Sequence, residues 1–189
     1  MRIGADYYPE HWEKERWKTD AEMMVKANIK VIRIGEFAWS LYEPEEGKYE
    51  FDWMDEALDF FGKYGIKVVM CTPSATPPKW MIDKYPDILQ NDIHGNPKLF
   101  GTRKHYCFNS ETYREKTNTL IAKRYAKHPA IEAWQVDNEL GWSNTTRCYC
   151  KSCENRFRNW LKEKYGTIDN LNKTYGTTFW SQIYRSFDE

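Results

Sequence analysis

Two constellations in this 189-residue sequence have residue types and spacing that could do chemistry. One lies in the run Trp134-Gln135-Val136-Asp137-Asn138-Glu139-Leu140-Gly141, where an Asn-Glu pair follows directly on an apolar core. A carboxyl at Glu139 can serve as a general acid if partial burial lifts its pKa toward neutrality, and the amide of Asn138 beside it can hold a hydroxyl. The same carboxylate could instead cap the following helix or pair with a nearby arginine. The other constellation is Cys148-x-Cys150-x2-Cys153 with Cys107 upstream, while Cys71 stands alone in an apolar run. Four thiolates can close a tetrahedral zinc site; two disulfides, or unligated thiols, would use the same residues. The histidines His11, His94, His105 and His128 show no ligand spacing.

These residues must be positioned by regular elements, and four strand-then-helix units are legible. Each passes from a short apolar run to helical periodicity at a loop rich in Pro, Gly or Trp. The spacing predicts a first strand over about Arg2 to Tyr7, with a helix from Trp12 to Ala27 that turns Trp17, Ala21, Met24 and Val25 to one face. A second strand, Lys30 to Ile34, ends at Gly35-Glu36, and a helix follows with Met54, Ala57, Leu58 and Phe61 inward. The third strand, Ile66 to Cys71, gives way to TPSATPPKW, whose prolines forbid regular pairing and permit a helix to start near Pro78. After a long loop over Pro86 to Asn109, a helix is predicted over Glu111 to Lys127 with Leu120, Ile121 and Tyr125 on its apolar side. The fourth strand, Ile131 to Val136, delivers Asp137-Asn138-Glu139; helices over Ser152 to Tyr165 and Ile168 to Tyr175 follow, with no fifth strand evident.

Repeated strand-helix alternation means a parallel sheet covered by helices. A doubly wound sheet usually carries a Gly-rich phosphate loop after its first strand, a place held here by Asp6-Tyr7-Tyr8-Pro9-Glu10. The expected fold is therefore a (β/α)8 TIM barrel. Such a barrel takes about 250 residues, so the chain is expected to hold its first four βα units, residues 1–189 being one N-terminal portion of a catalytic domain with no second domain. Functional groups in this fold sit at the C-terminal ends of the strands, which singles out Asp6, Glu36, the loop after Cys71 and Asn138-Glu139. Glu36 reads as a structural, hydrogen-bonding carboxylate.

Composition narrows the function classes. Lys plus Arg and Asp plus Glu both total 28, so no net field attracts nucleic acid or an anionic membrane surface. No apolar run approaches the roughly 20 residues that span a bilayer, and the opening MRIGADYY lacks the pattern of a secretory signal. A cytoplasmic location is expected, with the sequons at Asn144 and Asn172 as chance matches. Nine Trp and thirteen Tyr exceed what a core of this size needs, and a carbohydrate site is one outlet for flat rings; core packing is the other.

Five segments in order, IGADYYPEHW, RIGEFAWSLYEPEEGKYEFDWMDEAL, TPSATPPKW, RKHYCFNS and WQVDNELG, together resemble the N-terminal part of the β-galactosidases of glycoside hydrolase family 42. The resemblance covers essentially the whole chain. It implies retaining hydrolysis of terminal β-D-galactosyl residues, with Glu139 as acid/base, Asn138 and Arg103 holding the galactosyl group, and a nucleophilic Glu beyond residue 189, so that the isolated chain is expected to be inactive. It further implies a structural Zn2+ on Cys107, Cys148, Cys150 and Cys153, β-galactosides such as lactose as substrates, and homotrimers of the complete enzyme. Two other readings stay open: a related barrel acting on another β-linked sugar, and a non-catalytic zinc-binding module.

Overall fold

The computed structural model describes residues 2–101, 103–117, 120–141 and 145–189. Four parallel strands, β1 (Ile3–Asp6), β2 (Ile29–Ile34), β3 (Lys67–Cys71) and β4 (Ile131–Gln135), form one sheet in the order β1-β2-β3-β4. Each strand pairs with the one before it in the chain, with Ala5 opposite Ile32, Ile32 opposite Val68 and Met70 opposite Trp134. Sequential parallel order with a helical crossover after each strand is the winding of the opening half of a (β/α)8 barrel.

Helices α1 (Lys14–Lys26) and α3 (Asp52–Lys63) cover one face of the sheet, with the single turn α2 (Trp39–Tyr42) leading into the second crossover. The inward stripe of α3 is the predicted one: Met54, Ala57, Leu58 and Phe61 are fully buried. They meet Trp17, Ala21 and Met24 of α1, Ile32 and Ile34 of β2, and Val68 and Met70 of β3 in one cluster. Burying a side chain such as Phe61 contributes about 1.5–3 kcal/mol. Val25, expected on the same face, is exposed; Trp17, Ala21 and Met24 already span the narrow buried stripe of a surface helix, and Val25 falls past its edge.

The third crossover differs from its predicted form. Its prolines give a 3-10 turn over Pro73–Ala75, then α4 (Lys79–Lys84) with Pro78 at its N-cap, then a second 3-10 turn over Pro86–Ile88. In place of one helix over Glu111 to Lys127 stand two short ones, α5 (Glu111–Lys116) and α6 (Leu120–Tyr125). The break begins at Thr117, whose ψ of 87° is not helical; its backbone N–H and its hydroxyl both donate to the carbonyl of Tyr113, closing the turn there. The side chain of Leu120 and the sequon at Asn144 lie outside the described residues. At Asn172 the amide is occupied, donating to the Tyr184 carbonyl and accepting from Thr177 and the Tyr184 backbone.

A second buried cluster, of Trp39, Met81, Ile82, Ile88, Leu89, Tyr106 and Tyr113, packs beneath the loops on the C-terminal side of the strands. It anchors the segment from Arg103 to Cys107. The last helices, α7 (Lys151–Tyr165) and α8 (Ile168–Tyr175), stand close to the predicted bounds and end at Gly166 and Gly176 with positive φ. No helix among the described residues is long and apolar enough to cross a membrane.

Candidate active site and metal centre

At the C-terminal end of β2, Gly35 has φ +92°, and a Cβ there would come within 3.0 Å of the Tyr42 hydroxyl. The glycine lets the chain turn so that Glu36 folds back under the strand ends, where it is wholly buried. Its Oε1 accepts from Tyr8 at 3.0 Å and pairs with Arg33 Nη2 at 2.9 Å. The same guanidinium pairs with Asp6 at 2.8 Å and reaches across the sheet to Gln135 Oε1 at 3.0 Å. Glu36 is thus the hydrogen-bonding carboxylate the sequence suggested. Cys71, expected as a small buried hydrophobe, is buried but also donates its thiol to Gln135 Oε1 at 3.3 Å. Burial pushes that thiol well up from its ordinary pKa.

At the end of β4 the three polar residues divide. Asp137 turns inward, accepting from Ser74 at 2.8 Å and Tyr106 at 3.3 Å and pairing with Lys104 at 3.3 Å. Asn138 is buried, its Oδ1 accepting from Gln135 Nε2 at 3.1 Å. Glu139 adopts φ +47° and points the other way, so its side chain is 46% exposed and pairs with Arg103 at 2.8 Å. An arginine, the partner weighed above, sits on it, because the exposed turn after β4 faces the segment that carries Arg103. Arg103 also lies over the Phe37 ring, 5.9 Å from its centroid. The three residues singled out for a sugar site, Arg103, Asn138 and Glu139, are thereby gathered at the ends of the strands.

Arg33, Gln135 and Lys104 were missed by sequence reasoning. A signal was available for the first two: each is a polar residue near the C-terminal end of a strand, three positions before Glu36 and Asn138 respectively. Nothing local marks Lys104, which is buried at φ +61°; its partner lies 33 residues away.

The cysteines converge as their spacing predicted. The sulfurs of Cys107, Cys148, Cys150 and Cys153 all lie within 4.8 Å of one another, with Cys107 Sγ 3.3 Å from Cys153 and 3.5 Å from Cys150. All four are free thiols, and these separations are far beyond the roughly 2.05 Å of a disulfide. Cys107 belongs to the segment after Arg103, its N–H donating to Ile88 at 2.6 Å. Cys150 caps α7 and Cys153 lies in its first turn. The backbone N–H of Asn109 donates to Cys107 Sγ and its side-chain amide to Cys153 Sγ, contacts that suit sulfur bearing charge. Hydrogen bonding with Cys107, aided by the backbone at Cys150 and Asn91 and opposed by burial, holds the Cys148 thiol down to about 5. The cluster can hold a metal ion.

Known proteins resemble this chain in sequence and in fold. The family described as beta-galactosidase, glycoside hydrolase family 42, matches residues 6–189. A beta-galactosidase of Thermus thermophilus is 53% identical over 99% of the chain, and beta-galactosidase Bga of Halorubrum lacusprofundi is 48% identical over all of it. Among solved structures, the beta-galactosidase of the psychrophilic Marinomonas ef1 covers the whole chain with a TM-score of 0.96 at 48% identity. The chain spans 27–30% of the length of these two curated relatives and 29% of that solved chain. From strand order through site geometry to family match, the chain belongs to glycoside hydrolase family 42.

Proposed function

We propose that this chain supplies the acid/base part of a retaining β-galactosidase, with Glu139 as the proton donor. The observation that carries the reading is the ion pair of Glu139 and Arg103 at 2.8 Å beside the buried amide of Asn138, at the strand ends where parallel barrels keep their chemistry. Arg103 and Asn138 hold the galactosyl hydroxyls. Glu139 protonates the glycosidic oxygen as the bond breaks and later takes a proton from the attacking water; the nucleophilic carboxylate of such a pair lies about 5–5.5 Å away and is contributed by another part of the full-length enzyme. A sugar hydroxyl seated on Arg103 competes with the carboxylate for the guanidinium, so substrate itself loosens the ion pair as Glu139 takes up its acid role.

The test is Glu139→Gln in the full-length protein. Turnover of lactose should fall by about 10²- to 10⁴-fold, with a smaller loss in the bond-breaking step for an aryl galactoside whose leaving group needs no proton. Normal turnover of lactose by the variant would refute the assignment.

The metal we assign to the four cysteines is zinc. Zinc-thiolate bonds of about 2.3 Å put tetrahedral ligands about 3.8 Å apart, a spacing within reach of sulfurs already clustered within 4.8 Å. Four thiolates leave no open coordination position, so the ion's part is to cross-link the segment carrying Arg103 to the start of α7.

A further inference from the structure

The polarity of the Asn138 amide is set by a residue two strands away in the sheet. Arg33 on β2 is itself fixed by two carboxylates, Asp6 at 2.8 Å and Glu36 at 2.9 Å. Its Nη1 donates to Gln135 Oε1 at 3.0 Å and, over a longer 3.4 Å, to Asn138 Oδ1. A guanidinium has only donors, so whichever amide atom faces it must be oxygen. Gln135 Oε1 also accepts from the Cys71 thiol, which leaves Gln135 Nε2 to face Asn138, 3.1 Å from Oδ1. Both donors therefore require oxygen at that corner of the Asn138 side chain. The amide nitrogen is turned away from them, and no described residue accepts from it. Asn138 as a residue is nearly all buried, yet its amide nitrogen is not among the buried side-chain atoms left without a partner, so the nitrogen is the part of the side chain still open to a ligand.

We infer that Arg33 and Gln135 are positioning residues that lock Asn138 as a hydrogen-bond donor, so that its Nδ2 donates to one hydroxyl oxygen of the bound galactosyl group. This rests on the functional reading above. It adds a direction to the contact: the chosen hydroxyl accepts from Asn138, and its own proton must go to a different acceptor.

The experiment uses the full-length protein and a nitrophenyl β-galactoside, compared with analogues in which each ring hydroxyl in turn is replaced by hydrogen. Gln135→Glu keeps an acceptor for Arg33 but puts a second acceptor opposite Asn138 Oδ1, which favours a flipped amide. The expected result is a loss in kcat/KM of about 10-fold or more on the parent substrate, and disappearance of the penalty for removing one particular hydroxyl, with the other penalties intact. Asn138→Asp should erase the same penalty, and the double variant should lose no more. Unchanged kcat/KM for Gln135→Glu, or an equal loss on every analogue, would overturn the inference. If that variant fails to fold, a crystal structure of the wild-type protein with galactose decides: a sugar oxygen within hydrogen-bond distance of Asn138 Nδ2 supports it, and a protein acceptor there overturns it. A wild-type protein that hydrolyses no β-galactoside but seats galactose on Nδ2 would refute the functional reading alone.

Discussion

Lys104 Nζ stands 3.3 Å from Asp137 Oδ2, with both side chains less than one tenth exposed. Asp137 also accepts from Ser74 and Tyr106, and the Lys104 backbone N–H donates to Ala75 at 2.9 Å. One buried pair therefore ties the segment of Arg103 to the strand end that carries Glu139, and through Cys107 to the cysteine cluster.

Breaking that pair from one side should be severe, because it leaves a buried charge without a counterion. Lys104→Met is expected to cost about 3–5 kcal/mol, seen as a lower denaturant midpoint. Adding Asp137→Leu should cost less than the sum of the single changes. Additive losses would show that the two charges are not coupled.

Removing one sulfur should cost both metal and stability. Cys150→Ser in the full-length protein, purified under reducing conditions, is expected to lose one equivalent of zinc per chain by elemental analysis and to melt at a lower temperature. Chelation of the unaltered protein should lower its melting temperature too. Protein that is free of zinc before any treatment, and no less stable after it, would remove the metal from the account.

Burial, reinforced by the Glu36 carboxylate, raises the pKa of Glu10 above its usual 4.5, against a backbone hydrogen bond and His11. A carboxyl raised on folding binds its proton more tightly in the folded state, so its penalty is absent below 4.5 and grows as pH rises through the folded value. Glu10→Gln should therefore stabilise the protein at pH 7 and make no difference near pH 4. A gain of the same size at both values would mean that charge is not the cause.

Gly35→Ala should destabilise by about 1–3 kcal/mol, since φ +92° disfavours a side chain and the new Cβ would crowd the Tyr42 hydroxyl. Equilibrium unfolding measures this directly. An unchanged midpoint would mean that the turn before Glu36 relaxes freely.

Much of the fold was legible in the residues because local periodicity carries it. Four apolar runs with helical stripes between them predicted a parallel sheet in chain order, and the stripe of Met54, Ala57, Leu58 and Phe61 is buried as its spacing requires. The cysteines announced their cluster because three of the four lie within six residues, so only Cys107 had to be brought from afar. The sequence also determined which residues head the list for catalysis, since an Asn-Glu pair at a strand end is recognisable without coordinates. What only tertiary structure decided are relations between distant segments: that Glu139 turns outward onto Arg103, that Asp137 turns inward onto Lys104, and that Arg33 reaches across the sheet to Gln135. A strand pattern states which face a side chain takes, but not which charge will meet it there, because that partner comes from another crossover. Val25 and the divided helix after Ser110 show the same limit at smaller scale: an apolar residue at a stripe's edge, and a threonine whose backbone leaves the helical ψ, are settled by packing rather than by periodicity.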